Sequence, residues 1–394
     1  MRPEWLFCSL FATPLVLTAA AGAPGIEPLS ELDRLNWCIG TQTFGAAYRF
    51  TRETRLVETA QAILDMGSNV LKFGLEKNYF GPGRNVDDPD PRVHSLAELA
   101  AYEPSHRRVL DMPFAYYIIW AYGFTPGWWS EGFSVADQKL EYDEMRALAA
   151  HLLTTYSGSG KTFYLGHWEG DWHLRPSLNP ADAVKPEAIE GMIDWLNVRQ
   201  RAIDDAKRDV PHQDVEIYGY CEVNLVRIAM EGRQSVTTDV VPRTTMDYVS
   251  YSSYDSGLDL IPALDYIESK LPPKPGIPGK RVWIGEYGFP AFAHSPSEQD
   301  RLSRQVMRAG LAWGCPFVLY WEVYNNEVGK DGAQRGFWLI DDKGNKQPVY
   351  ETHHAYYQWA RHWATDFRAR EGRLPTFDEF REAAVAYLDA LPGA

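Results

Sequence analysis

The chain has 394 residues, a net charge of −14 and a 13% aromatic share. That length fits one large α/β barrel or two ordinary domains. The acidic balance repels phosphate backbones and excludes nucleic acid as a partner. The few cysteines exclude a disulfide scaffold.

The N-terminus, "MRPEWLFCSLFATPLVLTAAAGAPG", runs from one Arg through an apolar stretch to small residues. It reads as a secretory signal over residues 1–23, so the protein is expected to be secreted or periplasmic. No later stretch is long and apolar enough to span a membrane, so no membrane span is expected after signal cleavage. The cysteines beyond it, Cys38, Cys221 and Cys315, lie in strand-like contexts and read as buried thiols.

Residues 24–394 read as one domain in which short apolar runs alternate with helical patterns. "LNWCIGTQTF" (35–44) predicts a strand. "RETRLVETAQAILDMG" (52–67) predicts a helix with Leu56, Ala60, Ile63 and Leu64 on one face and a stop at Gly67. "NVLKFGL" (69–75) is the second strand, and a Gly-, Pro- and Asp-rich loop over 78–90 follows. A helical stretch near 95–111 leads to the third strand, "FAYYIIWAY" (114–122). Then come an aromatic loop, "GFTPGWWSEGF", and a helix over 138–156.

"KTFYLGHWEGDW" (161–172) holds the fourth strand and its loop, and 185–209 is the clearest helix. Strands five and six are "VEIYGYCEVNLV" (215–226) and "YVSYSSYD" (248–255). After a helix over 260–271 and a Pro-rich linker, "RVWIGEYGFP" is the seventh strand. Ser295 or Ser297 is placed to cap the next helix. "PFVLYWEVYNNE" (316–327) is the eighth strand, and 372–394 predicts an extra C-terminal helix outside the barrel. Eight strands, each followed by a helix or long loop, predict a single (β/α)8 TIM barrel of the α/β class.

In such a barrel the chemistry sits at the C-terminal ends of the strands. Those ends hold Lys72, Trp120, His167, Trp168, Glu169, Glu222, Asn224, Tyr254, Glu286 and Trp321, with Trp128 and Trp129 in a nearby Gly- and Pro-containing loop. A Glu among apolar strand residues needs a partner or a task. Two carboxylates at one rim can divide acid and base work on an acetal, and the rings supply platforms for sugars. Gly285 and Gly288 around Glu286 are expected to leave space for a ligand. Glu322 follows Trp321 and is expected to point away from the barrel axis into a buried salt bridge. Asp171 and Asp255 read equally as loop-fixing groups or ligands. No residues have metal-site spacing; His167 and His173 are a weak pair.

"VWIGEYGFP" resembles the nucleophile strand of the clan A retaining glycoside hydrolases, (β/α)8 enzymes that include cellulases and mannanases. In that clan strand seven carries the nucleophile and the end of strand four the acid/base. The resemblance therefore implies Glu286 as nucleophile and Glu169, in "LGHWEGDW", as acid/base. "YWEVYNNE" resembles the clan's strand eight and implies Trp321 as the floor of a sugar subsite. Tyr254, in "YSSYDS", sits where members place a Tyr that hydrogen-bonds the nucleophile.

Two positions depart from the pattern. The clan usually has Asn directly before the acid/base; here Trp168 stands there, with His167 one further back. Lys72 ends strand two where many relatives place Arg, and supplies charge without a bidentate fork. Glu222, in "GYCEVNLV", is the alternative acid/base, because it also ends a strand and has Asn224 two residues on. Lys72, Trp120, Trp128, Trp129, His167, Trp168, Asn224, Tyr254 and Trp321 are the expected substrate-binding residues. The reading that follows is a secreted retaining enzyme that cleaves β-glycosidic bonds of a polysaccharide or oligosaccharide with two Glu and no cofactor or metal. The alternatives are a non-catalytic polysaccharide-binding barrel and a metal-dependent hydrolase.

Overall fold

The structure, a computed structural model, describes residues 26–125 and 128–392. The signal expected over residues 1–23 lies outside them. Eight parallel strands close into a barrel in chain order. They are β1 (Ile39–Gln42), β2 (Val70–Glu76), β3 (Tyr116–Tyr122), β4 (Thr162–Gly166), β5 (Glu216–Val223), β6 (Tyr248–Ser252), β7 (Val282–Tyr287) and β8 (Val318–Tyr320). All eight fall on the expected segments, β2 running one residue further.

The helices form the outer ring. After β1 comes α1 (Arg55–Met66), and after β2 come α2 (Leu96–Tyr102) and α3 (Pro104–Asp111). The stretch near 95–111 is therefore two helices where one was expected. Pro104 has no N–H to continue a helix, and Glu103 caps the new start by accepting from His106 N–H. Next are α4 (Val135–Thr155), the single turn α5 (Gly170–His173), α6 (Pro186–Asp209), the short α7 (Val226–Met230) and α8 (Leu260–Lys270). α9 (Pro296–Trp313) begins at a Ser295–Glu298 capping box. α10 (Pro348–Glu371) and α11 (Phe377–Asp389) complete the chain. α11 lies outside the barrel against α9 and α10, as its position in the sequence predicts.

Strand residues are buried on both faces, between barrel centre and helix shell, so β7 is buried throughout. The lower part of the interior is filled by rings. Tyr164 meets Trp283 at 5.4 Å and Phe317 at 5.2 Å, and Tyr116 meets Phe317 at 5.5 Å. Above them the interior turns polar, with Lys72, Ser250, Glu222 and Glu286. Cys38, Cys221 and Cys315 are free and buried.

Candidate active site

The site is built where β2, β5, β6 and β7 reach the mouth of the barrel. In the β6–β7 pairing Tyr251 faces Ile284, but Ser252 faces Glu286, so one residue of β7 is skipped. Such a bulge re-aims side chains. Gly285 and Glu286 consequently both face inward, and Tyr287 packs outward on Tyr320. A Cβ on Gly285 would overlap Ser250 Oγ. On Gly288 it would stand 2.7 Å from Trp321 O and 2.9 Å from the Phe337 ring. The space these glycines leave is thus taken by protein atoms, not by a ligand as the sequence reading expected.

Lys72, fully buried, occupies the centre. Its ammonium donates to Glu222 Oε2 at 2.9 Å, Glu286 Oε1 at 3.1 Å and Gly285 O at 3.1 Å. Three donors with three acceptors satisfy it completely. Its place is beneath the carboxylates, which is not that of the substrate contact expected. Glu286 also accepts from Tyr254 O–H at 3.4 Å. Tyr254 is 43% exposed, so it spans from Glu286 to the surface.

Glu169 follows β4 and is 7% exposed, the most accessible of the three carboxyls. Its Oε2 accepts from the Trp172 indole N–H at 2.7 Å, and among the described residues no cation touches it. Burial, then the charges of Glu286 and Glu222, push its carboxyl well above the ordinary range. Burial also pushes Glu286 up, to about 8, against the opposing pull of Lys72. The direct contacts order the two. Glu286 has an ammonium and a hydroxyl to hold its charge, whereas Glu169 has one neutral donor, so Glu286 ionises first and Glu169 keeps its proton.

Glu222, the alternative acid/base, has no exposed surface. Besides Lys72 it accepts from Ser250 O–H at 2.7 Å and from the backbone N–H of Glu169 at 3.1 Å. Both its oxygens are committed to the barrel, which leaves none for a leaving group. His167 is buried as well. Its Nε2 accepts from Glu222 N–H at 3.3 Å and its Nδ1 faces Trp168 O at 2.9 Å. Burial holds it well below its usual range and neutral, which fits one donor and one acceptor nitrogen. It fastens backbone and does not face the cavity. Asn224 likewise accepts from Asp171 N–H at 3.1 Å, and Asp171 takes the N–H groups of Asn224, Leu225 and Val236. Asp171 is a loop-fixing group. Asp255 is too, accepting from Arg227 N–H and the Tyr251 hydroxyl.

A cavity of about 760 Å³, in the range of ligand sites, opens at the same rim; Trp168, next to Glu169 in the chain, reaches its wall, whereas Glu169, Glu222 and Glu286 do not line it. Phe44, Trp120, Trp128, Trp168 and Trp321 line it. Phe44 stacks on Trp120 at 3.7 Å and on Trp321 at 5.6 Å. Lys72 Nζ stands 4.6 Å from the centre of the Trp120 ring, which ties the cavity to the charged network. Both loops flagged in the sequence form walls, through Asn78, Arg84 and Asn85 on one side and Thr125 and Trp128 on the other. Trp128 is 42% exposed, but Trp129 is fully buried. A Cβ on Gly191 of α6 would collide with Trp129 O, so that glycine admits the turn that sinks its ring. Trp129 therefore supports Trp128, at 5.1 Å, and is not a binding surface.

Glu322 departs from expectation. It is buried, accepts from Phe44 N–H at 3.0 Å and, among the described residues, has no cation within salt-bridge distance. Burial pushes its carboxyl well up, which favours the neutral form. Phe44, Tyr122, Trp172 and Ser250 were not singled out from sequence. Tyr122 donates to or accepts from His173 Nε2 at 2.9 Å and takes Trp168 N–H at 2.9 Å. Among the described residues no group of three His, Cys, Asp or Glu converges as a metal site.

The chain matches no protein-family model and no curated protein. It is similar in fold to solved structures. One is a GH5_18 protein from Bifidobacterium longum subsp. infantis, with a TM-score of 0.53 and 15% identity over 81% of this chain and 78% of that one. Another is the exo-beta-1,4-mannosidase Op5Man5 from Opitutaceae bacterium strain TAV5, with a TM-score of 0.54 and 13% identity over 82% and 60%. A third is a family 39 glycoside hydrolase from Bacteroides cellulosilyticus WH2, with a TM-score of 0.50 and 12% identity over 85% and 66%. The chain thus spans under two thirds of the length of the latter two. At these identities the likeness is one of fold alone.

Proposed function

We propose that the protein is a retaining β-glycoside hydrolase. The observation that carries this reading is the unequal pair at the mouth of the barrel. Glu286 is held by Lys72 and Tyr254, and Glu169 is buried with, among the described residues, no cation within salt-bridge distance. Glu169 donates its proton to the leaving oxygen while Glu286 attacks the anomeric carbon, forming a glycosyl-enzyme. Glu169, now ionised, takes a proton from water, which displaces Glu286 and leaves the configuration retained. The rings of Trp120, Trp168 and Trp321 offer apolar faces for sugar. Residues 1–23 are the segment that directs export.

A panel of β-linked glycans and aryl β-glycosides tests this, with the product anomer read by NMR before mutarotation. Glu286→Gln is expected to reduce turnover by about 10⁴-fold or more, the scale on which loss of a catalytic nucleophile acts. Glu169→Gln is expected to abolish cleavage of sugar leaving groups yet spare the first step with activated aryl ones, which need no proton. Sugar binding without any product from the native chain, or an inverted product, would overturn the assignment. The activity is also expected to fall on the acid side well above the ordinary Glu range, because Glu286 must be ionised and is raised to about 8.

A further inference from the structure

Glu222 is a buried carboxylate that the proposed reaction does not consume. It joins the two halves of the machinery: its Oε2 shares the Lys72 ammonium with Glu286, and its Oε1 takes the backbone N–H of Glu169. Its own N–H is fixed by His167, the residue two before Glu169. Ser250, opposite it in register on β6, supplies the remaining donor. Gly285 is needed for that hydroxyl to fit.

We propose that Glu222 is a positioning residue that sets the charge balance of the reacting pair, by dividing Lys72 between two carboxylates and anchoring the backbone of Glu169. The inference rests on Glu169 and Glu286 being that pair. If Lys72 served Glu286 alone, its full charge would fall on the nucleophile and make it a weaker base. Shared with Glu222, it holds Glu286 in place while leaving it basic. The negative charge of Glu222 also favours the proton on Glu169, which the first step spends.

The titratable groups facing Glu222 are Lys72 on β2, Tyr122 on β3, His167 and Glu169 after β4, Tyr220 on β5 and Glu286 on β7. Burial keeps Tyr122, Tyr220 and Cys221 protonated and His167 neutral. None of these four adds a charge beside Glu222.

The test is the pH profile of kcat/KM on a β-linked oligosaccharide, whose leaving sugar needs the proton of Glu169. Glu222→Gln keeps the shape and removes the charge. Both limbs are expected to move to lower pH, by about one unit or more, the scale of losing a like charge at contact distance. Ser250→Ala retains every charged group but leaves Lys72 as the only side-chain donor on Glu222 Oε2. Lys72 is then drawn toward Glu222, and the acid limb is expected to move the opposite way, to higher pH. Unmoved limbs in a folded Glu222→Gln protein, with only a lower Tm, would reduce Glu222 to a structural filler and overturn the inference. If that variant does not fold, an unmoved acid limb in Ser250→Ala overturns it. Neither result touches the parent reading, which falls only if Glu286→Gln or Glu169→Gln retains full turnover. Rescue of Glu222→Gln by an activated leaving group, with Glu169→Gln unaffected, would instead make Glu222 the acid/base.

Discussion

Lys72 shows at residue scale how far a side chain's identity predicts its use. The sequence reading put it at the end of a strand as a binder of substrate; it is the third residue of β2. Burial inverted that role: with no exposed surface it serves two carboxylates and a carbonyl. His167 and Asn224 were displaced from the same list for the same reason, since their polar atoms are spent on backbone and on Asp171. Glu286 was legible because a carboxylate inside "VWIGEYGFP" has no cheap structural explanation. Ser250 gave no signal, because one Ser among the many in "YVSYSSYD" is unremarkable until its partner is known. The network predicts a cost. Lys72→Met leaves Glu222 and Glu286 buried without a cation, and removing one partner of a buried pair costs about 3–5 kcal/mol. Chemical denaturation is expected to show that loss, and a loss under about 1 kcal/mol would mean the carboxylates do not depend on Lys72.

Among the elements, strands were more legible than the loops between them. A strand buried on both faces is a continuous apolar run, and eight such runs are visible. The bulge in β7 was not, since it depends on pairing with β6 and on the fit of Gly285 to Ser250. Nor was the sinking of Trp129, which requires Gly191 on another helix. The turn from α4 to β4 carries a second buried amine. Lys161 donates to Leu110 O at 2.7 Å, to Met112 O and to Tyr117 Oη at 3.1 Å, and so caps the end of α3. Burial pulls it down to about 7. Below that pH the folded protein holds a buried charge at a cost. Above it the folded state has shed the proton, while the unfolded chain keeps it to about 10.4. The unfolded state then binds more protons, so this group's contribution to stability rises with pH from about 7 upward. Unfolding free energies of the native chain and Lys161→Met, compared at pH 6.5 and 9 (~ values chosen to bracket that window), are expected to diverge in favour of the native chain at the higher pH. A constant difference would show that Lys161 stays charged throughout.

At the scale of the whole molecule the two ends of the barrel have separate tasks, as in other barrels of this kind. The mouth holds Lys72, Glu169, Glu222 and Glu286. The opposite end is closed by packing around Trp37, which precedes β1 and is 1% exposed. Phe380 of α11 meets Trp37 at 5.4 Å, and Tyr387 stacks on Trp359 of α10 at 4.5 Å. Arg381 of α11 donates to Leu311 O and Ala312 O, both at 3.1 Å, at the C-terminal end of α9. α11 therefore covers rings that would otherwise face water and caps a helix at the foot of the barrel. Its apolar pattern was readable in "FDEFREAAVAYLDA", whereas the surface it covers was not. Truncation before residue 372 uncovers Trp37 and Trp359 and leaves the carboxylate network untouched. The truncated chain is expected to have a Tm lower by several degrees, since each kcal/mol lost shifts the Tm of a large domain by about 2–4 °C. Well below that Tm, its kcat/KM and pH limbs are expected to match those of the full chain. A shift in the limbs would mean that α11 reaches the chemistry through the barrel, and the division between a stabilising foot and a reactive mouth would fail.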